Sequence, residues 1–164
     1  MLSKKIEKAF NEQLNAELNS AYVYLSLAAY FEEKDLAGFA HWMKVQAQEE
    51  VEHGMKFFGY VNSRGGRVQL AKIESPKSEW PSPLEGFKTA LEHEQMITGR
   101  VNDLVVLANK EGDHASHQFL MWFVAEQVEE EDSVGRVVQK LKMVGDSPNG
   151  LLMMDHALGQ RSRG

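Results

Sequence analysis

Apolar residues recur at alternating three- and four-residue intervals in four long stretches of this chain, the spacing that gives an α-helix one buried face. These stretches predict helices at about 3–33, 36–63, 83–111 and 113–143. A shorter apolar stretch predicts a fifth helix at about 148–159. Ser82-Pro83 supplies a capping serine followed by a proline in the first helical turn, and Gly112 ends the third helix.

The segment between the second and third helices, residues 66–81, differs from the rest because Pro76 and Pro81 exclude a continuous helix. Its sixteen or so extended residues reach about 50 Å, enough to run along a neighbouring helix of about 42 Å. The other connections are short and imply antiparallel neighbours. The predicted fold is therefore all-α: a four-helix bundle with a long crossover between helices two and three plus a short C-terminal fifth helix, in a single domain over residues 1–164.

Each of the four apolar stripes is interrupted near its middle by residues that commonly bind metal ions. The interruptions are Glu17 in the first stripe, Glu50 and His53 in the second, Glu94 in the third, and Gln127 and Glu130 in the fourth. An unpaired buried carboxylate costs several kcal/mol unless it is protonated, so four interruptions suggest a shared cause. All six residues lie about 11 to 17 residues from the same end of the bundle, within a layer roughly 10 Å thick. The pattern predicts one site.

Carboxylates and one imidazole favour iron, manganese or zinc as the bound metal. The chain has no cysteine, which excludes disulfides and thiolate metal sites. Four ionised glutamates carry four negative charges, which two divalent cations neutralise, whereas a single cation would leave the layer anionic and costly to bury. The competing interpretation is a buried polar network that holds no metal.

Further polar residues lie beside the predicted layer, and for them two interpretations stay open. Tyr24 lies two turns from Glu17 on the same face, either as a core tyrosine or as a hydrogen-bond donor or electron source beside the metals. Glu49, Glu126 and Glu129 could hold a third cation. Alternatively, a solvated acidic face could be formed by the run Glu126, Glu129, Glu130, Glu131 and Asp132. Packing is predicted for Trp122, and surface or capping roles for His41, His93, His114, His117 and His156.

Bulk composition limits the possible partners. The formal net charge of −6 argues against nucleic acid as a ligand. No apolar run approaches the roughly 18 residues needed to span a bilayer, so no membrane association is expected. The charged N-terminus lacks the apolar region of a signal peptide. We expect a cytoplasmic protein.

The motifs on these helices resemble those of the ferritins, specifically the bacterial and archaeal non-haem type, along the whole chain. The matching motifs are Glu17, Glu49-Glu50-x-x-His53, Glu94 and Glu126-Gln127-x-Glu129-Glu130. The resemblance implies a ferroxidase centre with two irons per subunit and a possible third. By that resemblance the first iron site is Glu17, Glu50 and His53; the second is Glu50, Glu94 and Glu130, with Gln127 and Tyr24 beside it; the third is Glu49, Glu126 and Glu129 with Glu130.

Departures from related families narrow this expectation. Bacterioferritins, which resemble this chain in fold, carry a second Glu-x-x-His on the fourth helix and a haem-binding methionine after the glutamate of helix two. Here the corresponding residues are Gln127-x-x-Glu130 and Val51, so haem is not expected. The cysteine-based domain of rubrerythrins has no counterpart in this sequence.

The resemblance implies an iron-storage protein that oxidises Fe(II) with O₂ or peroxide and keeps the product as a ferric oxy-hydroxide mineral. It also implies a homo-oligomeric hollow cage of about 24 subunits. The main alternative is a di-iron oxidase or peroxidase on the same bundle that stores no mineral. A helical assembly protein with an inert polar layer is the non-enzymatic alternative.

Overall fold

The computed structural model describes residues 1–163. The regular secondary structure in that range is entirely α-helical. The helices are α1 (Lys4–Glu33), α2 (Ala37–Ser63), α3 (Pro83–Lys110), α4 (His114–Val144) and α5 (Pro148–Leu158). In the bundle α1 packs against α2, α3 packs against α4, and α5 packs mainly against α2. The predicted all-α class with its short C-terminal helix is therefore confirmed. Gly164, the last residue of the predicted domain, lies outside the described residues.

Capping residues account for most of the differences between predicted and observed helix ends. Ser3 and Asp113 lie one residue before their helices and accept hydrogen bonds from the backbone N–H groups of Ile6 (3.3 Å) and Ser116 (2.9 Å). Leu36 and Glu111 are likewise caps and not helical residues. A capping residue takes part in the hydrogen bonds of the helix, but its backbone dihedral angles are not helical. A prediction from the hydrophobic pattern therefore places the end of the helix one residue too far out.

The crossover between α2 and α3 runs along α1. Asn11 donates a hydrogen bond to the carbonyl oxygen of Arg67 (2.9 Å) and accepts one from the backbone N–H of Gln69 (2.7 Å). Further along, Ser26 donates to the carbonyl oxygen of Lys77 (2.5 Å). The segment thus travels from near the start of α1 towards its end, so α3 begins at the same end of the bundle as α2.

Two apolar clusters fill the bundle interior, one towards each end. The first is built around Leu27, Phe39, Phe87 and Val138, and the second around Phe10, Phe57, Ile97 and Phe123. The buried carboxylates of all four long helices belong to neither cluster. A polar layer therefore separates the two apolar clusters. No helix in the described range is long and apolar enough to cross a membrane.

The start of α2 is held by α5. Asp155 accepts hydrogen bonds from the backbone N–H groups of Gly38 (2.8 Å) and Phe39 (3.0 Å), and it thereby caps a helix whose own N-cap, Leu36, offers no side-chain acceptor. A β-carbon on residue 38 would lie 1.7 Å from the carbonyl oxygen of Asp155, so this contact requires glycine. The contact fixes the position of α5, and of the residues that follow it, along α2.

Candidate metal centre

The predicted ligands of the four long helices meet in the polar layer. Glu17, Glu50 and Glu94 are each 1% exposed, and Glu130 and His53 are 4% exposed. The Nδ1 atom of His53 lies 3.3 Å from Oε2 of Glu50 and 4.0 Å from Oε2 of Glu17. The stripes interrupted in the sequence are therefore interrupted at one level of the folded bundle.

Two groups of three residues in this layer have the spacing of a metal site. One is Glu17, Glu50 and His53, and the other is Glu50, Glu94 and Glu130. Within each group one ligand atom per residue lies within 4.8 Å of the others, which suits a cation bound at about 2.0–2.2 Å by nitrogen and oxygen ligands. Glu50 belongs to both groups. Two adjacent cations sharing Glu50 fit this arrangement.

The electrostatics of the layer favour uptake of positive charge. Burial raises the pKa of Glu17 to about 7, although Gln13 donates a hydrogen bond to it. Burial, reinforced by the charges of neighbouring carboxylates, raises the pKa of Glu50 and of Glu130 well above the usual range. The pKa of Glu94 is also raised, mainly by burial. Without a bound cation these groups can stay uncharged only by holding protons, because their negative charges repel each other at short range.

Buried donors orient the carboxylates. Gln46 donates to Oε1 of Glu50 (3.0 Å) and to Oε2 of Glu130 (2.7 Å), and so joins α2 to α4. Tyr24 donates its hydroxyl proton to Oε1 of Glu94. Burial raises the pKa of Tyr24 well above its usual value, so the tyrosine stays a neutral donor.

Gln127 and Glu17 complete the layer in different ways. The side-chain amide of Gln127 donates to Oε2 of Glu94 at 3.1 Å and approaches Thr98 at 3.2 Å, so it orients Glu94 from α4. Oε1 of Glu17 accepts from Gln13 at 2.8 Å, whereas the buried Oε2 of Glu17 has no hydrogen-bond donor among residues 1–163. A buried carboxylate oxygen without a donor is costly, and this one belongs to the group that faces His53. A cation between Glu17, Glu50 and His53 would satisfy it.

His53 is suited to bind a cation as a neutral imidazole. Burial, followed by the nearby charge of Lys56, lowers the pKa of His53 to about 4. Near neutral pH a ring nitrogen can therefore act as a metal ligand without first losing a proton.

A second acidic group lies outside the buried layer and opens to a cavity of about 440 Å³. Here His53, Glu126 and Glu130 form a third group whose ligand atoms lie within 4.8 Å of one another. Glu49 and Glu129 line the same cavity. Burial and the charges of Glu129 and Glu49 raise the pKa of Glu126. We call Glu49, Glu126 and Glu129 the outer acidic group.

Of the three glutamates predicted to hold the third cation, only one lies in a compact group of possible ligands. Glu126 lies with His53 and Glu130 in the compact group, whereas Oε2 of Glu49 accepts a hydrogen bond from the guanidinium of Arg161 (2.8 Å). Glu129 is exposed at the cavity wall.

Similarity to known proteins agrees with this geometry. The family described as ferritin-like domain matches residues 7–144. A bacterial non-heme ferritin from Bacteroides fragilis is 44% identical over 161 residues, which cover 98% of this chain and 100% of that protein. A bacterial non-heme ferritin from Staphylococcus aureus is 38% identical over 162 residues, which cover 99% and 98%. The chain belongs to the ferritin family.

Solved structures place this ferritin beside archaeal members. An engineered closed form of the Archaeoglobus fulgidus ferritin has a TM-score of 0.99 and 48% identity and covers 100% of both chains. A structure described as an open pore ferritin from the same archaeon has a TM-score of 0.97 and 49% identity and covers 98% of each chain. The predicted ferritin resemblance is therefore confirmed.

Sequence reasoning missed the residues that orient the buried glutamates of the layer. Gln13 and Gln46 each lie four residues before a glutamate of the layer and donate a hydrogen bond to it. The repeated Gln-x-x-x-Glu spacing, which places both side chains on one helix face, was a usable signal. Each glutamine also accepts from an arginine: Gln13 from Arg100 (3.0 Å) and Gln46 from Arg161 (2.8 Å). No pattern in the sequence pairs these arginines with the layer.

Trp122 makes packing contacts, as predicted, and also lines the cavity, whereas the position of His93 differs from the prediction. Trp122 lines the cavity with its ring edge-on to His53 at 5.4 Å, and the Lys56 ammonium lies 4.2 Å from the centre of the Trp122 ring. His93 is half-buried, hydrogen-bonded to Ser20 at 2.6 Å and edge-on to Tyr24 at 6.4 Å. His93 is therefore neither a surface residue nor a cap, because the α1–α3 contact encloses it.

Proposed function

We propose that this protein is an iron-storage ferritin with ferroxidase activity, which oxidises Fe(II) to Fe(III) in the buried layer and stores the product as a ferric oxy-hydroxide mineral. The observation that carries the proposal is the meeting of four buried glutamates and a neutral histidine at one level of the bundle. The substrate is Fe(II), and the oxidant is O₂ or peroxide.

The charge of the layer supports two iron ions per subunit. Glu17, Glu50, Glu94 and Glu130 carry four negative charges when ionised, which two Fe(II) ions neutralise. Glu17, Glu50 and His53 would hold one ion, and Glu50, Glu94 and Glu130 the other. Binding displaces the protons that the raised pKa values retain, because only the deprotonated carboxylates act as ligands.

The ligand set also favours the oxidised product. Anionic oxygen ligands are hard donors that stabilise the higher charge of Fe(III) relative to Fe(II). Two Fe(II) ions supply two electrons, which reduce O₂ with two protons to hydrogen peroxide, or hydrogen peroxide with two protons to water. Carboxylates can change from one-oxygen to two-oxygen binding, which lets the same residues bind the substrate and release the product.

Tyr24 and Gln127 act on Glu94 in this proposal. Both donate hydrogen bonds to its carboxylate, Tyr24 to Oε1 and Gln127 to Oε2. These donors fix the orientation of the ligand, as outer hydrogen-bond partners commonly do at metal sites.

The outer acidic group would hold a third iron ion beside the cavity. Glu49, Glu126 and Glu129 surround the open side of the layer, with Glu130 and His53 shared between the two regions. An acidic wall attracts cations from solution and offers a position between the buried layer and the bulk. We assign this group to iron on its way into or out of the layer.

Storage requires a closed assembly, and we propose a cage of about 24 subunits in the cytoplasm. The short helix α5 leaves Leu152 and Met153 more than half exposed (61% and 73%). Adjacent apolar side chains on a helix end favour contact with other subunits. The alternative function, a di-iron oxidase or peroxidase without storage, has the same layer but requires no mineral.

Size-exclusion chromatography after titration with Fe(II) in air separates storage from that alternative. Storage predicts that iron elutes with the assembled protein in numbers far above two or three ions per subunit. A limit of about two ions per subunit would favour the oxidase or peroxidase.

Replacement of Glu50 and Glu130 by alanine tests the site itself. We expect rapid Fe(II) oxidation to be abolished while the assembly keeps its size, because both apolar clusters are untouched. Glu12→Ala is a matched control, since Glu12 is an exposed glutamate of α1 outside the layer. Unchanged initial oxidation in the double variant would falsify the site assignment and leave the inert polar layer as the better interpretation.

A further inference from the structure

The C-terminal residues after α5 place a guanidinium in the cavity of the candidate centre. Arg161 donates to Oε2 of Glu49 (2.8 Å), to Oε1 of Gln46 (2.8 Å) and to the carbonyl oxygen of Trp42 (3.2 Å). Its guanidinium carbon lies 4.2 Å from the centre of the Trp42 ring. The Arg161 and Glu49 side chains are only 18% and 16% exposed. These contacts fix the Arg161 side chain in one position, unlike a freely moving arginine on the surface.

The position of Arg161 depends on the docking of α5. Asp155 caps the start of α2, and six residues later the carbonyl oxygen of Arg161 lies 2.7 Å from Nε2 of His41. The contact of Asp155 with Gly38 and the contact of the Arg161 carbonyl with His41 together determine which part of α2 the Arg161 side chain reaches. Arg161 therefore meets Gln46 and Glu49, which lie one helical turn apart on α2.

Glu49 is consequently held by a cation that belongs to the protein. Of the outer acidic group, Glu126 lies in the compact group with His53 and Glu130, whereas Glu49 lies against Arg161. A guanidinium on a partly buried carboxylate forms a charge-assisted hydrogen bond that salt screens weakly. A metal ion that uses Glu49 must either displace the guanidinium from Oε2 or bind the other carboxylate oxygen beside a fixed positive charge.

We propose that Arg161 is a built-in counter-cation of Glu49 in the outer acidic group and that it competes with the third metal ion for this carboxylate. Arg161 keeps the third position weak, so that a cation there is passed on and does not remain bound. The proposal rests on the proposed function, because it requires that the layer and the outer group bind metal ions.

Calorimetric titration of the assembled, metal-free protein with Zn(II) tests this competition without redox chemistry. Arg161→Gln removes the charge but keeps a polar side chain that can donate hydrogen bonds. We expect the third Zn(II) per subunit to bind this variant at least about tenfold more tightly than the unmodified protein, because a fixed like charge next to the site is gone. Binding of the first and second Zn(II) per subunit should still be observed, because Arg161→Gln leaves every residue of the two buried groups in place.

Matched variants identify the cause. Arg163→Gln removes the same charge two residues away, where the partner is Glu52, a half-exposed residue of the cavity wall, and should tighten the third step much less than Arg161→Gln does. Arg161→Lys keeps the charge without the planar fork and should keep the third step weak. Adding Glu126→Ala to Arg161→Gln should remove the tightened step, which places it in the outer acidic group.

The outcomes separate this inference from the proposed function. Loss of the first two steps in the unmodified protein would contradict the proposed function. Two normal steps with an unchanged or absent third step in Arg161→Gln would overturn the role of Arg161 alone. Equal tightening in Arg161→Lys and Arg161→Gln would also overturn it, since charge would then not be the cause.

Discussion

The buried layer and the outer acidic group contain similar residues in different surroundings. The layer glutamates are at most 4% exposed, and amide or phenol donors on three helices hold them. The outer glutamates line an open cavity, and one of them pairs with a protein cation, Arg161. The negative charges of the layer can be neutralised only by bound protons or metal ions. Those of the outer acidic group are stabilised by solvent in the open cavity and, at Glu49, by the guanidinium of Arg161.

This difference explains how neighbouring acidic groups can serve binding of unequal strength. Burial makes the charged layer costly when it is empty, so cation uptake there relieves repulsion and desolvation. The outer group gains less, because its charges are already hydrated or paired. We infer that tight binding and oxidation occur in the layer and transient binding occurs outside it.

The largest expected effect is on the rate of iron oxidation. Glu94→Ala should lower the initial rate of Fe(II) oxidation by about 100-fold or more, since it removes a ligand from the second position. Glu129→Ala, at the exposed cavity wall, should change that rate by no more than about threefold. Stopped-flow absorbance under air measures both, and comparable losses would erase the distinction between the two regions.

Removing a buried negative charge, although it should slow oxidation, should stabilise the metal-free protein. Glu50→Gln replaces the ligand shared by both groups with a neutral side chain of the same shape, and we expect it to raise the unfolding free energy by about 2 kcal/mol at a pH of about 8. Glu126→Gln, in the more hydrated outer group, should change it by less than about 0.5 kcal/mol. Chemical denaturation in the presence of a chelator checks this, and destabilisation by Glu50→Gln would contradict the electrostatic account of the layer.

Tyr24→Phe should have an intermediate effect. Loss of the phenol leaves Oε1 of Glu94 without that donor, and we expect oxidation to slow about tenfold. The number of Zn(II) ions bound per subunit should stay the same, because every ligand remains. A variant that oxidises Fe(II) at the normal rate would make Tyr24 a core tyrosine only.

The pH dependence of the protein's stability should depend on whether metal is bound. In the metal-free protein the pKa of Glu17 is raised from 4.5 to about 7, so the folded state binds more protons than the unfolded state in that range. Stability from this group falls as pH rises towards 7, and Glu50 and Glu130, whose pKa values are raised further, extend the fall to higher pH.

His53 has the opposite sign, because its pKa is lowered from 6.5 to about 4, so stability from this group rises as pH rises through that window. Above a pH of about 6.5 only the glutamates contribute, and we expect stability to fall by about 1.4 kcal/mol per pH unit for each glutamate that is still protonated in the folded state. Saturating Zn(II) should abolish the loss. Melting curves with and without Zn(II) measure this, and an equal slope in both would count against metal in the layer.

The fold and the layer were accessible from the sequence because both depend on local helical periodicity. Interrupted stripes located Glu17, Glu50, His53, Glu94, Gln127 and Glu130, and the crossover length set the helix directions that align them. The predicted all-α bundle is confirmed, whereas the assignment of these residues as iron ligands stays a prediction.

The parts that escaped prediction depend on contacts between distant segments. Arg161 reaches Glu49 only because Asp155 docks on Gly38, and neither periodicity nor spacing encodes that contact. Arg100 reaches Gln13 across the α1–α3 interface for a similar reason. Trp122 carried an apolar signal that a packing role explains equally well, so its place beside His53 required the folded structure.

The most direct test is anomalous X-ray diffraction from crystals of the protein soaked with Fe(II) without oxygen. A two-iron layer predicts two strong iron peaks per subunit, one between Glu17, Glu50 and His53 and one between Glu50, Glu94 and Glu130. A third, weaker peak is expected beside Glu126. Iron confined to the outer surface, with no peak among the buried glutamates, would contradict a two-iron layer.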